Sequence, residues 1–172
     1  MVPYFAYGTT QKGFPHHRTL AALLGEPVGR FRTASSHAIV VPHRAACSNP
    51  GCSLVHRMAV LVPGIEPLRA EGDLLLITDE GLAAIDRLET AGPYVRDTVE
   101  VVSVAGAARC AAQAYFAREP ARWRALAEAG RADTLASYPR HLAAASMPKR
   151  CCVRAPGHAP PHDVVDPLEG VA

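Results

Sequence analysis

The sequence predicts an α+β domain built around a mainly antiparallel sheet. Three observations carry this. Short apolar runs bounded by glycine and proline recur at residues 28–35, 37–41, 56–62, 70–78, 94–104 and 109–116, as strands do. Helical period is confined to a few segments, chiefly 79–89 and the stretch beginning at Pro120. The order places most of the sheet first and a helix late, not in the regular alternation of a parallel α/β fold.

A chain of 172 residues can bury a core as one domain. Its 49% hydrophobic and 20% charged content fits a folded chain and argues against disorder. A net charge of +2 from scattered arginines leaves no footprint for nucleic acid. No stretch approaches a membrane span, and Met1-Val2-Pro3-Tyr4 has no signal-peptide character. The five cysteines, an odd number without a secretory signal, read as reduced thiols in a cytoplasm.

The first element is the strand ending at Tyr7. It breaks at Gly8 into Thr9, Thr10, Gln11, Lys12 and Gly13. A glycine there lets the backbone take a conformation closed to other residues, turning successive N–H groups into one small space. The threonines add hydroxyls. Such a turn can seat a carboxylate or phosphate; it is also an ordinary exit from a strand. Arg18–Leu24 reads as a short helix stopped by Gly25 and Pro27. Strands over 28–35 and 37–41 follow, the second stopped by Pro42. A loop over 43–55 is built on Cys47-Ser48-Asn49-Pro50-Gly51-Cys52. In the strand over 70–78, Leu74 to Ile77 are apolar on both faces, so both sides are expected to be buried. Thr78 or Asp79 caps a helix running to Glu89. The strands 94–104 and 109–116 share a short link holding Gly106 and read as a hairpin. Pro120 suits the first position of a helix whose face carries Trp123 and Leu126. Asp133 is expected to cap a further helical segment with Leu135, kinked or restarted at Pro139. The domain is placed at residues 1–147, and 148–172 is read as an extended or disordered tail.

The helix over 79–89 carries a carboxylate where none is expected. At roughly 100° per residue, Leu82, Ile85 and Leu88 define an apolar stripe. Glu80 and Arg87 fall on the wet side. Glu89 lies only about 40° from the stripe's centre. There it faces inward, at a helix C-terminus unfavourable to negative charge, and both effects raise its pKa. Asp86 sits at the stripe's edge and can stay solvated. If the helix frays early, Glu89 instead escapes to water.

Two motifs resemble the gamma-glutamylcyclotransferase-like superfamily. Tyr7-Gly8-Thr9-Thr10, with Lys12-Gly13 and His16-His17, looks like its opening strand and Tyr-Gly-Thr/Ser-Leu turn. Ile85-Asp86-Arg87-Leu88-Glu89-Thr90, then Tyr94-Val95-Arg96, looks like its Leu-Asp-x-Leu-Glu-Gly and Tyr-x-Arg pattern. The likeness spans about residues 2–126 and departs at Thr10, Thr90 and Leu75, the last standing where a tyrosine is usual. It implies a small β-barrel with helices outside and a cavity at one end. It implies an internal aminolysis, in which the α-amine of a γ-glutamyl group attacks its own γ-carbonyl. 5-Oxoproline forms and an amine leaves, without a cofactor. Glu89 is then the general acid–base. The Gly8–Thr10 turn holds the substrate carboxylate or the oxyanion. Tyr7 and Tyr94 line the cavity, either hydroxyl being able to orient Glu89, and Arg96 meets a substrate carboxylate or pairs beside Asp97. The superfamily includes gamma-glutamylamine cyclotransferases and an enzyme deprotecting a butirosin intermediate, so a natural-product amide is one possible substrate.

Other readings stay open. His43, Cys47, Cys52 and His56 are metal-capable residues around one loop, at a spacing unlike the usual zinc pairs. No cysteine has the setting of an activated nucleophile. The same barrel can bind a small molecule without turning it over.

Overall fold

A computed structural model describes residues 1–43, 58–89 and 92–142. The elements in chain order are β1 (Val2–Ala6), α1 (Pro15–Thr19), α2 (Ala21–Leu24), β2 (Pro27–Thr33), β3 (His37–Pro42) and β4 (Val60–Pro63). They continue with β5 (Glu71–Ile77), α3 (Asp79–Glu89), β6 (Tyr94–Ser103), β7 (Arg109–Ala117), α4 (Pro120–Glu128) and β8 (Ala132–Leu135). The domain is the α+β barrel the sequence and its resemblance led one to expect.

The sheet runs β1-β5-β2-β6-β7-β4-β3-β8, and an extra pairing of β1 with β7 closes β1, β5, β2, β6 and β7 into a barrel. Its ladders are antiparallel except that closure, at Tyr4 and Gln113, and the parallel contact of β4 with β7 at Leu61 and Phe116. Strands β4, β3 and β8 extend from β7 as a wing.

Side-chain alternation divides the core into three parts. Phe5, Phe31, Leu74, Val99, Val101, Ala112 and Ala114 belong to the main cluster, which also takes Ile39 and Leu61 from the wing. The alternate residues Tyr4, Ala6, Leu75, Ile77 and Tyr115 form a second cluster with Leu24 of α2 and Leu82 and Ile85 of α3. Ala38, Val40, Val60 and Val62 form the third, with Trp123 and Leu126 of α4. Strand β3 is therefore buried at every position, and β5 at all but the half-buried Glu71 and the exposed Leu76. Gly72 is fixed by the close approach of β1: a Cβ there would stand 2.3 Å from the Ala6 carbonyl oxygen.

Three local expectations are corrected. The first helix begins at Pro15, earlier than Arg18, and is interrupted at Leu20. The strand expected from His56 is described only from Val60. Residues 132–135 form a strand, not the helix expected after Asp133, because β3 offers them an edge to pair with. Cys47, Cys52, His56, Thr90 and the tail 148–172 lie outside the described residues. No helix among the described residues is long and apolar enough to cross a membrane.

Candidate active site

The turn after β1 is held from beneath by a polar network. Asp73, buried on β5, accepts a hydrogen bond from the Lys12 N–H at 2.8 Å. Arg30 of β2 donates to Asp73 Oδ1 at 3.2 Å and to Gln11 Oε1 at 2.7 Å. The buried Gln11 side chain donates in turn to the carbonyls of Tyr7 and Gly8, at 2.7 and 3.2 Å. Satisfied on every side, such a network fixes the turn's shape. The N–H groups of Gly8, Thr9 and Thr10 make no hydrogen bond with another described residue. They are the donors an anion would use.

The left-handed glycine of the turn is Gly13, five residues beyond the expected Gly8. Gly8 is not in the left-handed region; Gly13 is, at φ 81°. A Cβ on Gly8 would meet only Ala59 Cβ, at 3.9 Å. What Gly8 provides is open space, not an unusual backbone.

The two threonines are each committed. Thr9 Oγ1 lies 2.7 Å from His16 Nδ1 at the start of α1, and burial lowers the pKa of that imidazole. Thr10, buried where the resemblance has leucine, shares a 2.9 Å hydrogen bond with the Tyr4 hydroxyl.

Helix α3 starts with the Thr78 hydroxyl accepting from the Gly81 N–H at 3.1 Å. It ends at Glu89, as its periodicity requires, with Leu82 and Ile85 buried and Leu88 exposed. Glu89 is half-buried, and burial pushes its carboxyl up to about 7. Among the described residues, no side chain hydrogen bonds or ion-pairs with it. Its charge falls instead on Tyr4, Tyr7 and Tyr94, whose hydroxyls burial already drives above their ordinary pKa.

Neither tyrosine hydroxyl named for orienting Glu89 gives it a proton. The Tyr7 hydroxyl donates to the Tyr115 carbonyl and accepts from the Leu61 N–H at 3.2 Å. The Tyr94 hydroxyl donates to the Ala59 carbonyl at 3.1 Å. Asp86 is not simply solvated: it accepts the Tyr115 hydroxyl at 2.7 Å and stands 3.4 Å from Arg96 Nε. Arg96 therefore reaches across to α3, while Asp97 accepts from the Thr98 N–H beside it. Two carboxylates one helical turn apart thus differ: one is paired, and the other is desolvated and unpaired.

Sequence reasoning missed Tyr4, Gln11, Arg30 and Asp73. Only Asp73 carried a signal, as a carboxylate inside the strand over 70–78. Among the described residues, no group of His, Cys, Asp and Glu is arranged for a metal, and His43 Nε2 sits 2.9 Å from Asp133.

The family model described as gamma-glutamyl cyclotransferase, AIG2-like, matches residues 4–133. The chain belongs to that family. A mouse AIG2-like protein has the same fold, with TM-score 0.59, 20% identity, and coverage of 81% of this chain and 88% of the mouse one. A solved gamma-glutamyl cyclotransferase aligns with TM-score 0.50 and 11% identity, covering 76% of this chain and 79% of its own. An uncharacterized human protein aligns with TM-score 0.52 and 14% identity, over the same shares. No curated protein matches the chain. The matched region contains both the turn and Glu89.

Proposed function

We propose that the protein cleaves an L-γ-glutamyl amide by internal aminolysis, releasing 5-oxoproline and a free amine. The observation that carries this is Glu89: a carboxyl raised to about 7, without a counter-ion among the described residues, on a domain of cyclotransferase type. Nucleophile and electrophile belong to one substrate, so the protein's task is to fold the glutamyl chain. Favourable intramolecular geometry supplies about 7–11 kcal/mol of the barrier. The substrate's α-carboxylate is seated on the N–H groups of the Gly8–Thr10 turn. Glu89 takes a proton from the α-ammonium, whose ordinary pKa is about 8. The freed nitrogen attacks the γ-carbonyl carbon, forming the ring C–N bond and a tetrahedral oxyanion. Glu89, having passed the first proton to solvent, takes the surplus proton from the now cationic ring nitrogen and gives it to the leaving nitrogen; the carbonyl re-forms as the original C–N bond breaks. A carboxyl poised near neutrality can serve in both directions.

Glu89→Gln tests the reading. It keeps the shape and removes the base, so 5-oxoproline release should fall by about 10²–10⁴-fold. Calorimetric binding of a γ-glutamyl amide should persist, because the turn is intact. Near-normal release by this variant would overturn the assignment. Binding without release by the wild-type protein, across a panel of γ-glutamyl amides, would favour a barrel that only binds.

A further inference from the structure

Thr9, the middle residue of the turn, is gripped from α1 by three hydrogen bonds. Its carbonyl accepts from the His16 N–H at 3.1 Å and from the His17 N–H at 3.2 Å. Its hydroxyl lies 2.7 Å from His16 Nδ1. The Thr9–Thr10 peptide is trans, so its N–H points opposite to its carbonyl. With the carbonyl turned to α1, the free Thr10 N–H is turned away from α1. Gln11 acts likewise on the preceding peptide: it captures the Gly8 carbonyl and so turns out the Thr9 N–H.

The side-chain bond carries a choice of proton. The Thr9 hydroxyl has no other partner among the described residues. In the free protein it therefore donates to Nδ1, and the neutral ring keeps its own hydrogen on Nε2. Burial disfavours the charged ring. From α3, Ala84, Arg87 and Leu88 face the same space as the ring; Arg87 is their one charged group, and it offers an imidazolium no counter-charge. On its own helix, His17 is turned to the Gly25 carbonyl at 3.2 Å and Arg18 is exposed. A carboxylate seated on the turn changes this balance. A second proton, taken from solvent onto Nδ1, reverses the bond to Thr9 and frees the Thr9 O–H to donate to the anion. The positive ring then stands one residue from the negative charge, so hydrogen bonding and Coulomb attraction favour the same state.

We propose that His16 is a positioning residue of the carboxylate seat, holding Thr9 from α1 and taking up a proton as the substrate carboxylate binds. This rests on the γ-glutamyl reading of the turn and adds to it a residue and a linkage between proton and substrate. The linkage is reciprocal: whatever factor the anion adds to the proton affinity of the ring, the proton adds to the affinity for the anion.

Calorimetry with γ-glutamyl methylamide tests this in Glu89→Gln, which removes the other group that titrates near neutrality. The α-ammonium of the ligand, with an ordinary pKa of about 8, stays protonated at pH 6. Kd should tighten by about fivefold from pH 7 to pH 5. In buffers of different ionisation enthalpy at pH 6, binding should take up protons. Adding His16→Asn keeps an acceptor for Thr9 but removes the charge, so most of the affinity at pH 7 should remain while the pH dependence and the proton uptake vanish. Adding His16→Leu, which offers no acceptor, should weaken binding at both pH values. A Kd that is flat with pH and takes up no proton would overturn the proposal, as would an uptake that survives His16→Asn. No binding at any pH would overturn it together with the seat. Proton-linked binding without 5-oxoproline release by the wild-type protein would support the linkage and overturn the reaction. Release by the wild-type protein beside unlinked binding would leave the reaction standing and overturn the linkage.

Discussion

Glu89 and Asp86 share a helix but not an environment. Asp86 has Arg96 and the Tyr115 hydroxyl, while Glu89 has only desolvation acting on it. Its carboxyl ordinarily titrates near 4.5 and is raised to about 7 in the folded protein. Between those values the folded state holds a proton that the unfolded chain releases. The Glu89 contribution to stability is therefore complete below the lower value and is lost as pH rises through the upper one. Glu89→Gln should accordingly raise the melting temperature more at about pH 8 than at about pH 5. A shift equal at both would mean that Glu89 titrates as it does in the unfolded chain. The two glycines of the turn give a second contrast. Gly13→Ala is strained at φ 81° and crowds Arg140, so it should cost stability, about 1 kcal/mol or more. Gly8→Ala should fold normally and weaken binding of the γ-glutamyl head, since its methyl enters open space at the site. Thermal melts and calorimetry on the pair separate the roles. The burial of Glu89 was legible because an eleven-residue helix has a reliable period. Which glycine turns left-handed was not, because composition alone does not distinguish two glycines in one loop.

At the scale of elements, the turn depends on β2 and β5 beneath it. Asp73→Asn leaves the packing but removes the charge facing Arg30. It should cost about 1–3 kcal/mol and raise KM for a γ-glutamyl amide while kcat changes less. Asp73→Glu, which keeps the charge, should recover part of the affinity. Equal losses of kcat and KM-corrected rate in both variants would mean that the network does more than hold the turn. The strands β2, β3, β5, β6 and β7 were legible from short apolar runs and their stops. The segment 132–135 was not, since its strand state comes from pairing with β3, far away in the chain. Arg30 gave no hint for the same reason: its partners Gln11 and Asp73 come together only when β2 lies beside β5.

For the whole molecule, β7 is the shared member. One edge pairs with β6, while the other meets β1 at Gln113 and β4 at Phe116. Barrel and wing are thus built on the same strand and should unfold together. Trp123, buried under α4 against the wing, reports one side by fluorescence; far-ultraviolet circular dichroism reports the whole. The two denaturant curves should coincide, and a Trp123 transition at lower denaturant would mean that the wing opens first. Closure of the barrel could be anticipated only through the family resemblance, because a single contact between β1 and β7 leaves no local trace. At that junction the Tyr7 hydroxyl accepts from the Leu61 N–H and donates to the Tyr115 carbonyl, tying the end of β1 to both β4 and β7. One oxygen atom thereby serves the frame of the barrel itself. Loss of turnover in Tyr7→Phe would therefore be no proof of a chemical duty for that phenol. Such a claim would need the variant's frame to be intact, with the Leu61 and Tyr115 amides as slow to exchange as in the parent.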